Sequence, residues 1–289
     1  MRDRMHAARV VARTQVVESM LSPGLYVALS AGFIIGWLLC TEFARAVDSG
    51  GFDPRLSGFW AFATRAVSGA FGPVFVEKLL TEGPFLAILA ASFAPVFLVL
   101  AIGSVYRFGL EKNAGAIELI VYGPADGTAY FIGSFIKDAV LSAGALGLLT
   151  LYFLLLAAVQ NLAVGPMFVA ALPAGLLLAL AIFAFGILCS AAAGNGAAAL
   201  ALFLGIGALF TAMTAGSLSV GDSPVRAAAE TVSAVLQWVS PLFYASLCAR
   251  AYGGGNALEY AAGLAMLAAL TAAVLMGCHL IIRRKGVRA

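Results

Sequence analysis

Few side chains in this chain could do chemistry, and their spacing excludes more than it permits. The motifs H-E-x-x-H, G-x-S-x-G and G-x-x-x-x-G-K-[ST] are absent, which removes the familiar zinc, acyl-transfer and nucleotide sites. His6 and His279 stand alone near the two ends of the chain and read as surface residues. The cysteines Cys40, Cys189, Cys248 and Cys278 form no C-x-x-C pair and read as small hydrophobes; a pairing of Cys40 with Cys248 near one face is left open. No catalytic residue, resident cofactor or metal site is expected. Lys137 and Asp138 are the one ionisable pair inside a long apolar stretch, about two turns from its start. Ion-coupled carriers hold such groups near mid-membrane. A single pair close to one end points instead to energy supplied by another subunit.

The remaining polar chemistry lies in one segment, Arg107 to Thr128, which reads RFGLEKNAGAIELIVYGPADGT. Glu111 to Val121 can form a short helix with Ile117, Leu119, Ile120 and Val121 as its apolar content. Gly123-Pro124 stops it, and Asp126 or Thr128 can cap the next helix. A short helix that is both apolar and charged suits a protein socket.

The elements that must carry this segment follow from composition. The 289 residues are 62% hydrophobic and 11% charged, with mean hydropathy +1.00. Soluble domains carry about 25% charged residues, so a soluble enzyme, a disordered chain and a disulfide scaffold are all excluded. No Asp, Glu, Lys, Arg or His occurs across 83 residues from Ala139 to Gly221, nor across Ser19–Thr41, Gly83–Tyr106 and Tyr260–Cys278. A helix needs about 20 apolar residues to cross a bilayer, and a charge at its centre costs about 2.5–3.5 kcal/mol. Gly165-Pro166 and Gly194-Asn195-Gly196 divide the long run into three. Six spans are expected, near 25–41, 84–106, 129–159, 167–190, 197–217 and 259–282. The fold class is all-α and polytopic, because only helices or closed barrels satisfy the backbone in lipid and no alternation supports a barrel. Residues 1–24 form a preceding unit and 25–289 the six-span unit.

Loops on the side of the termini hold ten Lys and Arg in 59 residues, against six in 90 residues on the other side. The positive-inside rule then places both termini in the cytoplasm. Ala44-Arg45-Ala46 matches a small-x-small cleavage pattern, yet the 24 residues before the first run favour an uncleaved span. Net charge +3 suits anionic headgroups and gives no case for nucleic acid.

The N-terminal stretch reads as an interfacial helix on the cytoplasmic leaflet, with Val10, Thr14, Val17 and Leu21 along one stripe and Arg9, Arg13 and Glu18 elsewhere around it. Phe59, Trp60, Phe62 and Phe71 suggest an outer interfacial helix. Residues 227–239 have a helical pattern, and Ser240-Pro241 breaks it in apolar surroundings, as in a segment that dips into the outer leaflet and returns. Pro95 and Pro173 are expected to kink the second and fourth spans. Ala201, Gly205, Ala208, Ala212 and Ala215 form a small-residue stripe that could serve as a contact face.

Glu111-Lys-Asn-Ala-Gly115-Ala-Ile-Glu118-Leu-Ile-Val-Tyr-Gly-Pro124, followed by Tyr130-Phe-Ile-Gly133-Ser-Phe135, resembles the type-2 ATP-binding-cassette (ABC) permease family. Ser240-Pro241-Leu242 before the last span, the six spans and the N-terminal helix resemble it too. The chain departs from the family pattern at Ala116, where Thr is usual, and at Ser134, where Lys is common. The resemblance implies the transmembrane subunit of an exporter, without a nucleotide site of its own. Two permease chains, identical or related, would pair above two copies of a separate ATPase that binds ATP and Mg. The Glu111–Val121 helix would seat in a groove of the ATPase beside the N-terminal helix, as a coupling helix within loop 107–128. Glu111 and Glu118 would be polar contacts or local caps, Ile117 and Leu119 apolar ones. Gly115 would permit close approach, and Pro124 would fix the exit into the third span. A second expectation keeps this architecture but passes an ATP-driven shape change to a periplasmic or surface protein, as in metalloenzyme maturation or gliding machinery. A third is a channel or scaffold with no ATPase.

Overall fold

A computed structural model of the chain describes residues 2–48, 85–113, 127–162, 164–193, 195–214 and 236–285. The described residues form eight α-helices and no strand. These are α1 (Arg2–Leu21), α2 (Pro23–Asp48), α3 (Phe85–Asn113), α4 (Gly127–Val159), α5 (Pro166–Ala192), α6 (Gly196–Thr214), α7 (Pro241–Gly253) and α8 (Ala257–Lys285). Six stretches are long and apolar enough to cross a membrane: Pro23–Arg45, Phe85–Tyr106, Gly127–Val159, Pro166–Ala192, Gly196–Met213 and Ala257–Arg283. Each coincides with its expected span to within a few residues as far as the described residues reach; residue 84 and residues 215–217 lie outside them. The protein is an all-α, multi-pass membrane protein.

Local chemistry sets the boundaries. Pro23 and Pro166 occupy first helical positions, where a missing N–H costs nothing. The Ala198 amide donates to Asn195 Oδ1 at 2.7 Å and the Glu259 amide to Asn256 Oδ1 at 3.2 Å, so two asparagines cap α6 and α8. Gly255, at φ +71°, makes the tight turn between α7 and α8. Pro95 and Pro173 sit inside α3 and α5, and both helices continue through them.

Buried side chains order the helices in depth. At one end, Leu25 and Ala28 of α2 pack with Leu100 of α3, Leu141 of α4 and Phe183 of α5. At the other, Leu39 and Cys40 pack with Phe85, Phe153 and Phe168. The start of α2 therefore meets the end of α3, the start of α4 and the end of α5, which is an antiparallel up-down bundle. Cys278 and Ile282 of α8 join Phe131 of α4 and Ile187 of α5, so α8 ends on the side where α2 begins. That side is called the N-terminal side below. Around the bundle Ile34, Leu38, Leu151, Leu155 and Leu204 are exposed, the surface of a protein solvated by lipid.

Close approach of α2 and α3 depends on Gly32. A Cβ there would stand 2.4 Å from the Ser92 carbonyl oxygen, and a backbone atom cannot rotate away. Gly32→Val should cost about 1–3 kcal/mol through overpacking, read as a lowered unfolding temperature in detergent micelles. An unchanged temperature would mean that the two helices pack elsewhere.

The small-residue stripe of the fifth span does not face the bundle. Ala201, Gly205 and Ala208 are exposed, Ala212 is half-buried, and a Cβ on Gly205 would meet nothing; Ala215 lies outside the described residues. The inward stripe is Ala199, Phe203, Ile206 and Phe210, because Phe210 packs edge-on against Phe185 at 5.5 Å. Aromatic bulk fills the space that small residues would have left open.

All four cysteines are free and buried. Cys40 lies among Phe85 and Phe153, whereas Cys248 lies beside the Tyr260 carbonyl and Gly263. The folded chain should therefore take up almost no maleimide and should show four reactive thiols once unfolded. A loss of two thiols that reductant restores would reveal a disulfide.

Candidate functional site

The N-terminal side is built around α4. This helix has 33 residues, about 50 Å at 1.5 Å per residue, and the hydrocarbon core takes about 30 Å. Helix α3 has 29 residues, about 44 Å. Both helices that flank residues 114–126 are therefore longer than one crossing requires.

Helix α1 packs across the first turns of α4. Its inner face is Ala8, Ala12 and Gln15, all buried. A Cβ on Gly133 would stand 2.9 Å from the Ala8 carbonyl and 2.9 Å from a Val11 methyl, so Gly133 is what lets the two helices touch. The expected stripe of Val10, Thr14, Val17 and Leu21 points away from the bundle, with Val10 52% and Val17 50% exposed. Arg9 and Arg13 are exposed as well. Helix α1 thus has two usable faces, one against protein and one, apolar with arginines beside it, suited to a lipid interface. The sequence pattern revealed the second face and missed the first, because alanines and a glutamine do not stand out as a core. The positions of Ala8, Ala12 and Gln15, three to four residues apart, were the available signal.

At the same level, Lys137 Nζ lies 2.8 Å from Asp138 Oδ1, and both side chains are buried. Residues adjacent in a helix do not share a face, so the long lysine side chain must fold back to its neighbour. Lys137 and Asp138 thus form an internal ion pair near the start of α4. Thr128 Oγ1 and His279 Nδ1 lie 3.3 Å apart, which ties the start of α4 to the end of α8. His279 is half-buried, while His6 is exposed. Thr128 sits in the first turn of α4 and engages another helix there.

The coupling residues themselves are placed only in part. Glu111 lies in the last turn of α3. Gly115, Ile117, Glu118, Leu119 and Pro124 lie outside the described residues, as do Phe59, Trp60, Phe62, Phe71 and segment 227–235. What is described is the stem: the end of α3, the start of α4, and α1 and α8 on either side.

The break at Ser240-Pro241 lies deep in the bundle. A 3-10 turn, Gln237–Val239, leads to an extended Ser240 at ψ 121°, and Pro241 opens α7. Tyr244 packs on Leu267, near the middle of α8, and Leu242 packs beside Val274 and Phe210. Cys248 meets Tyr260 and Gly263, closer to the start of α8. Helix α7 therefore begins near mid-depth and runs back beside α8 toward the far side. Ser240 is 2% exposed and Pro241 is fully buried, whereas Trp238 and Val239 of the turn before them are exposed, so protein covers the break at Ser240-Pro241 and the turn lies at the bundle surface. Tyr244 Oη donates to the Trp238 carbonyl at 2.8 Å and holds the corner. Between α3, α5, α7 and α8 a cavity of about 230 Å³ is lined by Ala87, Ala170, Ala174, Ala245 and Tyr260, almost wholly apolar; the Tyr260 hydroxyl donates to the Ala170 carbonyl. No three His, Cys, Asp or Glu gather as metal ligands among the described residues.

No family model matches the chain, and no curated protein matches it.

Proposed function

We propose that this chain is the permease subunit of an ABC exporter, coupling ATP hydrolysis by a separate ATPase to movement of a substrate across a bacterial-type inner membrane. The observation that carries this reading is the segment Glu111–Pro124, an apolar and charged short-helix pattern, mounted between two helices that outrun the bilayer. A socket element at the end of such a stem suits a motor docked below the membrane. The charge asymmetry supports cytoplasmic termini, and the apolar cavity between α3, α5, α7 and α8 suits a hydrophobic or amphipathic cargo. A second permease chain, identical or related, completes the unit. Closure of the ATPase dimer rocks the bundles between two arrangements, with α1 and the coupling helix as the points of contact.

The expected outer segments 42–83 and 218–240 allow a second reading, in which the moved object is a periplasmic or surface protein rather than a small cargo. One experiment separates these. The chain is co-expressed with its genomic neighbours and purified, and ATP turnover is measured. A co-purifying, vanadate-sensitive ATPase stimulated by an amphipathic compound supports the exporter. Stimulation only by an extracytoplasmic protein supports the second reading. A chain that purifies without any ATPase contradicts both.

A further inference from the structure

The apolar cavity between α3, α5, α7 and α8 is long rather than round. On α5 its wall follows Met167, Ala170, Ala171, Ala174, Gly175 and Leu178, the spacing of a single helix face. From Met167 to Leu178 that face rises about 16 Å at 1.5 Å per residue. On α7 the wall runs from Ala245 to Tyr252, again one face and about 10 Å long. The cavity is therefore a slot that stands along the helix axes. It begins beside the first turns of α5 and α8, where Tyr252 and Tyr260 lie, and tyrosines mark the interface level of a bilayer. It ends at Leu178, halfway along α5. Its length matches the far-side half of a hydrocarbon core about 30 Å thick, which is one leaflet.

The walls select hydrocarbon. They are almost wholly apolar, the Tyr260 hydroxyl is engaged by the Ala170 carbonyl, and the Cys248 thiol donates to the Tyr260 carbonyl at 3.9 Å. A polar ligand would give up its water for no partner there. A dry apolar cavity of about 150 Å³ is enough to take benzene, and this one holds about 230 Å³ drawn out to the shape of an extended chain. Two of its lining residues, Ala90 of α3 and Gly175 of α5, are exposed, and a Cβ on Gly175 meets nothing within 4 Å among the described residues. The slot thus opens sideways and is continuous with the surface that faces lipid, so a chain enters without crossing the bundle. We propose that this slot holds an acyl chain of a membrane lipid from the far-side leaflet, with the lipid head left at the level of Tyr252 and Tyr260. The inference needs no ATPase and stands independently of the ABC reading.

The α7 wall supplies the test and α4 its control. Ala245, Cys248 and Ala249 are buried within the chain, so a lipid reaches them only through the slot, whereas Leu151 and Leu155 of α4 are exposed to any lipid. The full-length chain is reconstituted in phosphatidylcholine vesicles in which a trace of the lipid carries a diazirine in one acyl chain, and photo-adducts are mapped by mass spectrometry. A label beside the ester should mark Met167 and Tyr252, and a label at the chain end should mark Leu178 and Ala245. This order along the slot tests the proposal on the unsubstituted chain alone. Gly175→Leu and Ala90→Leu narrow the mouth from its two lips, and the first also improves helix propensity. In the double variant, adducts on Ala245, Cys248 and Ala249 should fall about tenfold, the effect of keeping a few methylenes out of an apolar site. Adducts on Leu151 and Leu155, and the unfolding temperature, should stay as they were. The absence of adducts on the α7 wall, the reverse order along the slot, or undiminished labelling of Ala245, Cys248 and Ala249 in the double variant would each overturn the proposal.

Discussion

Glu118→Arg is expected to weaken the hold of the ATPase on this chain by about 100-fold and to abolish most ATP-driven activity, while membrane insertion and unfolding temperature stay as they were. Losing one partner of a desolvated charge pair costs about 2–5 kcal/mol at an interface, and about 2.8 kcal/mol is a factor of 100 in affinity. Reversal adds repulsion to that loss. Glu118 belongs to the segment between α3 and α4, whose proposed work is entirely intermolecular, so the bundle should not register the change. Co-purification yield and vanadate-sensitive turnover read the effect. Full binding with full turnover would show that Glu118 is a solvated charge with no role in docking.

Lys137→Met should destabilise the bundle by about 3–5 kcal/mol, because it removes the ammonium that lies 2.8 Å from the buried Asp138 carboxylate. In delipidated micelles this should appear as a fall in unfolding temperature on the order of 10 °C. Lys137→Met/Asp138→Leu should recover most of the loss, since replacing a buried pair by apolar side chains is often neutral or stabilising. The contrast between single and double substitution is the informative quantity. The pair has a 2.8 Å contact and both members are buried. A single variant as stable as the parent would show that other groups around Asp138 hold its carboxyl without Lys137.

The spans were legible because lipid makes one demand that a sequence displays directly. Charge-free runs such as Ala139–Gly221 mark what is buried in hydrocarbon, and Pro166 and Asn195 mark where the chain turns. The break at Ser240-Pro241 was legible for the same reason, since it is a helix start set inside an apolar stretch. Packing was less legible. When nearly every residue of a helix is apolar, periodicity no longer distinguishes the face that meets protein from the face that meets lipid. Helix α6 shows the result: its small residues face outward, and Phe203 and Phe210 make its contacts within the bundle. Helix α1 shows the complement. Its lipid-suited stripe was evident, but the face on Gly133 is made of alanines and Gln15. Lys137 and Asp138 were legible as the two ionisable residues of the span, but not their direct contact, because neighbours on a helix point in different directions. Of the coupling residues, Glu111 falls at the end of α3, and the rest are known from sequence, where the Glu-Gly-Glu-Pro spacing carries the reading.

The most direct test of the central claim is a photo-crosslinking residue placed at position 118 in the full-length chain, in the membranes of the native host. The adduct is identified by mass spectrometry. An adduct with a Walker-type ATPase, whose yield changes on vanadate trapping, is the predicted result. Adducts with lipid or extracytoplasmic proteins alone, or labelling of residues 111–121 by a membrane-impermeant reagent added outside, would contradict it.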